Sequence, residues 1–317
     1  MKFAFVFPGQ GSQSIGMMNG YADVAIIRET FSEASDILGK DFWAMAKDGP
    51  ADDLNQTINT QPLMLIAGVA VYRAWIDLGG EKPKLLAGHS LGEYTALVAA
   101  EALTFADALS LVRFRAQAMQ QAVPAGVGGM AAILGLDDDT IKKVCTEVTN
   151  NSSEETLEAA NFNSPGQVVI AGHKNAVLRG IEVAKAKGAK RAVLLPMSIP
   201  SHCTLMMSAA HKMQQELAQI KLGSPKIPVL HNVDFQQHNE PSAIRDVLVK
   251  QLYSPVQWVN TIHALVANGV THIAECGPGK VLGGLNKRID RNLQSPLLAD
   301  SEAIKQAITV LSNKNII

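Results

Sequence analysis

Gly88-His89-Ser90-Leu91-Gly92-Glu93-Tyr94 decides how the rest of the chain is read. Lys84-Leu85-Leu86-Ala87 before it is a short apolar run and reads as a buried strand. Thr95 to Ala100 after it is small and apolar and suits a helix start. A strand that turns straight into a helix leaves no room for side chains at the two ends of the turn. Gly88 and Gly92 stand at those ends. Ser90 is then held at the tip, its hydroxyl exposed at the positive end of a helix. This pattern, G-x-S-x-G between strand and helix, is a nucleophile elbow. By motif alone, a glycine-rich turn with a solvated serine fits as well; the flanking strand and helix favour the elbow.

Outward from the elbow, strand and helix signals alternate. Phe3 to Phe7 reads as a central strand followed by a tight loop, Pro8-Gly9-Gln10-Gly11-Ser12-Gln13. Ala25 to Leu38 has helical spacing, and Gln61 to Leu78 reads as an apolar helix with Pro62 in its first turn. Thr104, with Asp107 three residues on, opens a helix that carries Arg113, Arg115 and Met119. Pro124-Ala125-Gly126-Val127-Gly128-Gly129 reads as a flexible joint. Beyond it the order becomes strand, helix, strand, strand, helix, strand, the ferredoxin-like order. After Pro196 alternation resumes, with strands at Ile227 to His231 and Thr271 to Cys276. The expected fold is α/β, a mostly parallel sheet covered on both faces. Residues 1–125 and 197–317 form its main domain, and residues 126–196 a ferredoxin-like small domain inserted in it.

Bulk properties exclude several classes. A net charge of −1 over 317 residues argues against nucleic-acid binding. Cys145, Cys203 and Cys276 are too scattered for a metal pair or a disulfide framework, so no metal site and a reducing cytoplasm are expected. The longest apolar run, Leu63 to Tyr72, is too short to span a bilayer.

A serine hydroxyl needs a base. Of eight histidines, His89 adjoins Ser90, but neighbours on a sharp turn point apart. His202 stands out, in Ser198-Ile199-Pro200-Ser201-His202-Cys203, where the main domain resumes just before a helix. A helix N-terminus disfavours the imidazolium and keeps the ring ready as a base. Acyl chemistry also needs donors for an oxyanion. The Leu91 N–H follows the nucleophile, and the loop around Gln10 is the second candidate. Arg115 could grip a carboxylate from a cleft; on helical spacing alone a solvated surface arginine fits better.

These pieces occur together with Gln251-Leu252-Tyr253-Ser254-Pro255-Val256-Gln257-Trp258 and Glu275-Cys276-Gly277-Pro278-Gly279, in one order along nearly the whole chain. The set closely resembles the bacterial malonyl-CoA:acyl carrier protein transacylases. The resemblance implies an α/β-hydrolase-like (patatin-like) main domain. It implies that Ser90 is the nucleophile, His202 its base, and the Gln10 and Leu91 amides the oxyanion hole. Arg115 is then the residue for the malonyl carboxylate, and the Gln251 backbone carbonyl orients the histidine. Met119 and His89 are counted with Arg115 and Gln251 as substrate-binding residues. The implied reaction moves malonyl from malonyl-CoA to the phosphopantetheine thiol of acyl carrier protein, without a cofactor. A monomer is expected. The alternatives are a standalone acyltransferase of a polyketide pathway and a serine thioesterase or hydrolase. Ser201 departs from the phenylalanine of many relatives, a change expected to touch acyl selectivity. An acidic carrier calls for a basic face, and two clusters offer one: Lys187, Lys190 and Arg191, or Lys287 and Arg288.

Overall fold

The computed structural model describes residues 2–152 and 154–312. Met1, Ser153 and the last five residues of the 197–317 segment lie outside them. The chain runs β1 (Phe3–Phe7), α1 (Ala25–Leu38), α2 (Phe42–Asp48), α3 (Ala51–Asn55), α4 (Thr57–Asp77), β2 (Leu85–Gly88), α5 (Gly92–Ala99) and α6 (Phe105–Gln120). There follow β3 (Gly128–Leu134), α7 (Asp138–Asn150), β4 (Leu157–Ser164), β5 (Gln167–His173), α8 (Lys174–Ala186) and β6 (Arg191–Leu194). The chain closes with α9 (Met207–Gln219), β7 (Val229–Leu230), α10 (Pro241–Gln251), α11 (Trp258–Ala267), β8 (His272–Glu275), α12 (Val281–Ile289) and α13 (Ser301–Leu311).

Two separate sheets result. The first is parallel, in the order β7-β2-β1-β8. β1 is buried at every residue, as a central strand must be when both faces are covered. Its period of two sorts the core. Phe3, Phe5 and Phe7 join one cluster with α4, and Ala4 and Val6 join another with Trp258 and Leu265 of α11. The aromatic side is keyed by Trp75 of α4, which meets Phe5 edge-on at 5.0 Å. The second sheet is antiparallel, in the order β4-β5-β3-β6, with its own core of Ile133, Ile141, Val168, Ile170 and Val177 under α7 and α8. Its other face (Met130, Ala160, Val169, Ala171) meets Cys203.

Several expectations need correction. Pro62 lies inside α4, not in its first turn, because the helix begins earlier, at Thr57. Gly128 and Gly129 belong to β3, paired with His173 and Gly172, so the joint is narrower than the composition suggests. The strand expected over Ile227 to His231 shrinks to two residues. α2, α3 and α13 were not among the expected elements. Thr104 caps α6 as expected, accepting from the Asp107 N–H at 3.1 Å.

Ligands of open parallel sheets bind beyond the carboxyl ends of the strands. Here those ends deliver the Pro8–Gln13 loop from β1, the elbow from β2 and His231-Asn232 from β7. The small sheet reaches the same place through β4. Its pairing with β5 shifts register between Ala159 and Asn161 and again between Phe162 and Ser164. Such bulges re-aim side chains. Val256 stitches the bulged stretch to the main body, its N–H donating to the Ala160 carbonyl at 2.9 Å. Among the described residues, no helix is long and apolar enough to cross a membrane.

Candidate active site

The elbow is built as sterics demand. A Cβ on Gly88 would lie 1.9 Å from the Gly92 carbonyl carbon, and one on Gly92 would lie 2.1 Å from the Phe7 carbonyl oxygen. Ser90 itself has φ +52°, a conformation that costs a non-glycine residue about 1–3 kcal/mol and persists only where the surroundings enforce it. They do so here. The Ser90 N–H donates to Asn232 Oδ1 at 2.6 Å, and its carbonyl accepts from Gln251 Nε2 at 3.0 Å.

His202 comes from 112 residues away and also has a positive φ, +64°. Its backbone N–H donates to the Leu252 carbonyl at 2.9 Å. Its ring bridges Ser90 Oγ (Nε2, 2.8 Å) and the Gln251 carbonyl (Nδ1, 2.7 Å). A carbonyl only accepts, so Nδ1 carries the proton and Nε2 is left to accept from the serine hydroxyl. Burial, and then the nearby Arg115 charge, pull the imidazole pKa down to about 3. The neutral ring is therefore its resting form.

Arg115 is 1 % exposed, not a surface residue as its helical spacing suggests. α4 covers that face of α6. The guanidinium donates to Gln61 Oε1 at 2.7 Å and Gln251 Oε1 at 3.0 Å, and lies 3.4 Å from Ser90 Oγ. It also sits over the Tyr94 ring at 5.5 Å. Burial lowers its pKa, and Tyr94 and Glu93 push back. Its Nε–H has no partner among the described residues, a buried cation with a donor still free.

Gln10, His89, Ser90, Leu91, Arg115, Met119 and His202 line one cavity of about 590 Å³. Asn161, Asn163 and Gln167 of the small sheet, with Ser201, are also in its wall. Among the described residues the Gln10 and Leu91 N–H groups donate to no protein acceptor. His89 turns away from the serine, as expected of a neighbour on a sharp turn, and bonds Asn163 Oδ1 at 2.8 Å. Met119 is buried and its sulfur accepts from Gln61 Nε2 at 3.5 Å. Gln251 does not reach the cavity wall; it is buried behind His202 and Arg115. Among the described residues, no group of three or more His, Cys, Asp or Glu is placed to hold a metal.

A serine hydroxyl on a neutral histidine, two free amides and a buried arginine make a site for acyl transfer from an acid-bearing substrate. The acyl transferase domain family matches residues 4–289. A malonyl CoA-acyl carrier protein transacylase of Salmonella typhimurium is 53% identical over 309 residues, covering 97% of this chain and 99% of the relative. The chain belongs to the malonyl CoA-acyl carrier protein transacylases. Its fold is that of solved members of this family. An acyl-carrier-protein S-malonyltransferase from Burkholderia pseudomallei is 57% identical, with a TM-score of 0.95 over 98% of this chain and 100% of that one. A malonyl-transacylase solved in complex with a type II PKS acyl-carrier protein is 47% identical, with a TM-score of 0.95 over 99% of this chain and 100% of that one. The chain is thus an acyltransferase.

Glu93, Asn232, His231, Gln61 and Asn163 were not singled out by sequence. One signal was available for Asn232: it follows a strand that ends beside the elbow strand, where polar residues of a parallel sheet gather. The two basic clusters also look different in three dimensions. Lys190 and Arg288 line one groove, and Arg288 donates to Gln167 Oε1 at 2.7 Å. Gln167 lines the catalytic cavity as well. Lys187 is engaged elsewhere, with Glu147 at 3.0 Å.

Proposed function

We infer that this protein moves a malonyl group from malonyl-CoA to the phosphopantetheine thiol of acyl carrier protein, as the extender unit of fatty acid synthesis. The observation that carries this reading is the Ser90–His202 contact with the Arg115 guanidinium beside it. His202 Nε2 takes the Ser90 hydroxyl proton as Oγ attacks the thioester carbonyl. The Gln10 and Leu91 N–H groups receive the oxyanion. The tetrahedral centre collapses, the C–S bond breaks, and His202 returns the proton to the CoA sulfur. Arg115 holds the free malonyl carboxylate with paired hydrogen bonds, helped by its spare Nε–H. The carrier thiol then gives its proton to His202 and attacks the malonyl-serine ester; the C–O bond breaks and His202 returns the proton to Ser90 Oγ. These steps call on no metal or nucleotide cofactor beyond the CoA of the substrate.

The finer architecture belongs to the same proposal. The strand order β4-β5-β3-β6 with two helices on one face supports a ferredoxin-like small domain over 126–196. The elbow on a parallel sheet supports a hydrolase-like main domain over 1–125 and 197–317. Three free buried cysteines fit a cytoplasmic setting. The acidic carrier docks along the groove of Lys190 and Arg288, whose Gln167 edge opens on the cavity. A polyketide carrier is the second reading, favoured by the relative solved with such a partner; relative rates with the two carriers decide between them.

The test is intact-protein mass spectrometry after mixing with malonyl-CoA. A malonyl adduct on Ser90 that disappears when carrier is added is expected. Loss of the adduct to water at the same rate without carrier would make the protein a hydrolase.

A further inference from the structure

Glu93 does not line the cavity, yet it is fully buried. A buried carboxylate is tolerated only when donors satisfy its oxygens. Oε1 meets His231 Nδ1 at 2.7 Å, and Oε2 accepts from the Asn232 N–H at 3.0 Å and Gln251 Nε2 at 2.9 Å. Asn232 and Gln251 each lead to a different half of the site. The Asn232 side chain accepts from the Ser90 N–H and donates to the Gly88 carbonyl, both at 2.6 Å, pinning the elbow. The Gln251 side chain donates to the Ser90 carbonyl and accepts from Arg115, while its backbone carbonyl holds His202. The orientation of both side-chain amides is forced. Carboxylate and carbonyl oxygens only accept; guanidinium and backbone N–H groups only donate.

We propose that Glu93 is the positioning residue of this site, holding Ser90, His202 and Arg115 in register through Asn232 and Gln251. The proposal rests on the acyl-transfer reading above. In a Ser-His-Asp triad the carboxylate meets Nδ1 of the base directly. Here a backbone carbonyl takes that place, and the acid stands one residue further back. It touches no reacting atom. Its reach is wider than a triad acid's, because the same carboxylate steadies the nucleophile, the base and the cation that reads the acyl group. Its place in the first turn of α5 ties all three to the helix that follows the elbow.

The test uses Glu93→Gln. The amide keeps the shape but removes the charge, and its NH2 must face either His231, whose ring then has to present a bare Nδ1, or the Asn232 and Gln251 N–H groups, which it cannot satisfy. Rates are expressed per acylable serine, from the burst of CoA released on mixing with malonyl-CoA. The parent must show that burst; its absence would overturn the acyl-transfer reading itself, separately from this proposal. In Glu93→Gln, kcat per site should fall about ten- to a hundredfold, the scale of a small misplacement of reacting groups. The malonyl-to-acetyl preference should fall with it, since Arg115 loses its support. A residue that only stabilises the fold would reduce the number of active sites and leave both quantities as in the parent; that result overturns the proposal. Gln251→Met removes the relay but keeps the carbonyl on His202. Paired with Glu93→Gln it should give a clearly non-additive loss, because the two act along one path. Additive losses would also overturn the proposal. Where Glu93→Gln does not accumulate as folded protein, Gln251→Met carries the test, and an unchanged acyl preference there decides against the relay.

Discussion

Two cavities open along helix α4, and the larger is not the one that holds Ser90 and His202. Gln61, near the start of the helix, faces the catalytic cavity of about 590 Å³. Val69, Tyr72 and Arg73, further along, line a cavity of about 740 Å³. In the larger one the charges are either paired at the surface or, like Asp77 and Lys221, exposed to solvent. Arg73 pairs with Glu33 at 2.5 Å, and Glu101 pairs with Lys82 at 3.0 Å and with Lys226. Exposed pairs of this kind contribute about 0–1 kcal/mol and hold nothing in reserve. In the smaller one a buried arginine keeps a free donor, a buried histidine is held neutral, and two backbone amides have no acceptor. Groups in that condition gain most from a ligand that satisfies them. Volume does not separate the two cavities; unsatisfied buried polarity does.

Ser90→Ala should abolish the malonyl adduct, as read by mass spectrometry. His202→Ala should slow acylation about a hundredfold or more, the usual contribution of a positioned base. Glu101→Ala in the larger cavity should leave the rate near that of the parent. A large loss there would mean the two cavities are not separate in function.

The next effect is on acyl choice. On the proposed function, a neutral acetyl group leaves the Arg115 guanidinium buried without a carboxylate, whereas malonyl pairs it. Arg115→Ala should lower the malonyl-to-acetyl ratio of kcat/KM by roughly ten- to a hundredfold, from hydrogen bonds to charge of about 1.5–3 kcal/mol. Arg73→Ala, which removes an equally long cation from the other cavity, should not move the ratio. If both variants behave alike, burial is not what makes Arg115 selective.

Legibility follows the same line between local and distant causes. The elbow could be read because its constraint is local: a side chain at Gly88 would clash with the turn itself, and one at Gly92 with the end of β1. The strand-helix order of the small sheet could be read because its hydrophobic period and the Pro165-Gly166 turn between β4 and β5 are local too. Arg115 could not be assigned by spacing, since what buries it is α4, some fifty residues earlier. Glu93 was in the quoted motif, but its partners His231, Asn232 and Gln251 lie 138 to 158 residues away. Pattern reading offers no route to a contact of that kind. The short α2 and α3 lacked enough turns to show a period, while α13 had one in Ile304, Ala307 and Leu311 that was overlooked.

The pH response sharpens the contrast further. With its pKa drawn down to about 3, His202 stays a competent base well below the usual histidine range. Acylation by malonyl-CoA should therefore run nearly level from pH 8 to pH 5, with no step at the ordinary histidine value of about 6.5. Stability responds in the opposite sense to a paired histidine. Between about pH 6.5 and 3 the unfolded chain protonates this residue and the native one does not, so acidification across that window favours unfolding. Arg115→Ala removes the second cause of the shift and should move the acid limb of the rate profile to higher pH. A step near 6.5 in the parent would mean that the ring is more solvated than its burial indicates.

The smallest effect concerns the face on which the carrier lands. Lys190 and Arg288 meet in a groove whose Gln167 edge is shared with the catalytic cavity, and Arg191 is exposed next to Lys190. Lys82 and Lys226 make an equally basic pair beside the larger cavity, but both are tied to Glu101. Of the two sets, the first borders the cavity of Ser90, and on the proposed function it is the one that draws an acidic carrier there. Replacing Lys190 and Arg191 together by Glu should slow transfer from malonyl-serine to the carrier several-fold, chiefly through association, because rim charges act on encounter rate. Loading from malonyl-CoA should hold, since the dyad and Arg115 are untouched. Rising salt should slow the carrier step of the parent and have less effect on the doubly substituted protein, since screening acts on charges already removed. The same exchange at Lys82 and Lys226 should leave the carrier step unchanged. Measuring the two half-reactions separately, at low and high ionic strength, distinguishes these cases. An equal loss in both half-reactions, or a loss from the Lys82 and Lys226 exchange, would show that net charge and not the groove guides the carrier.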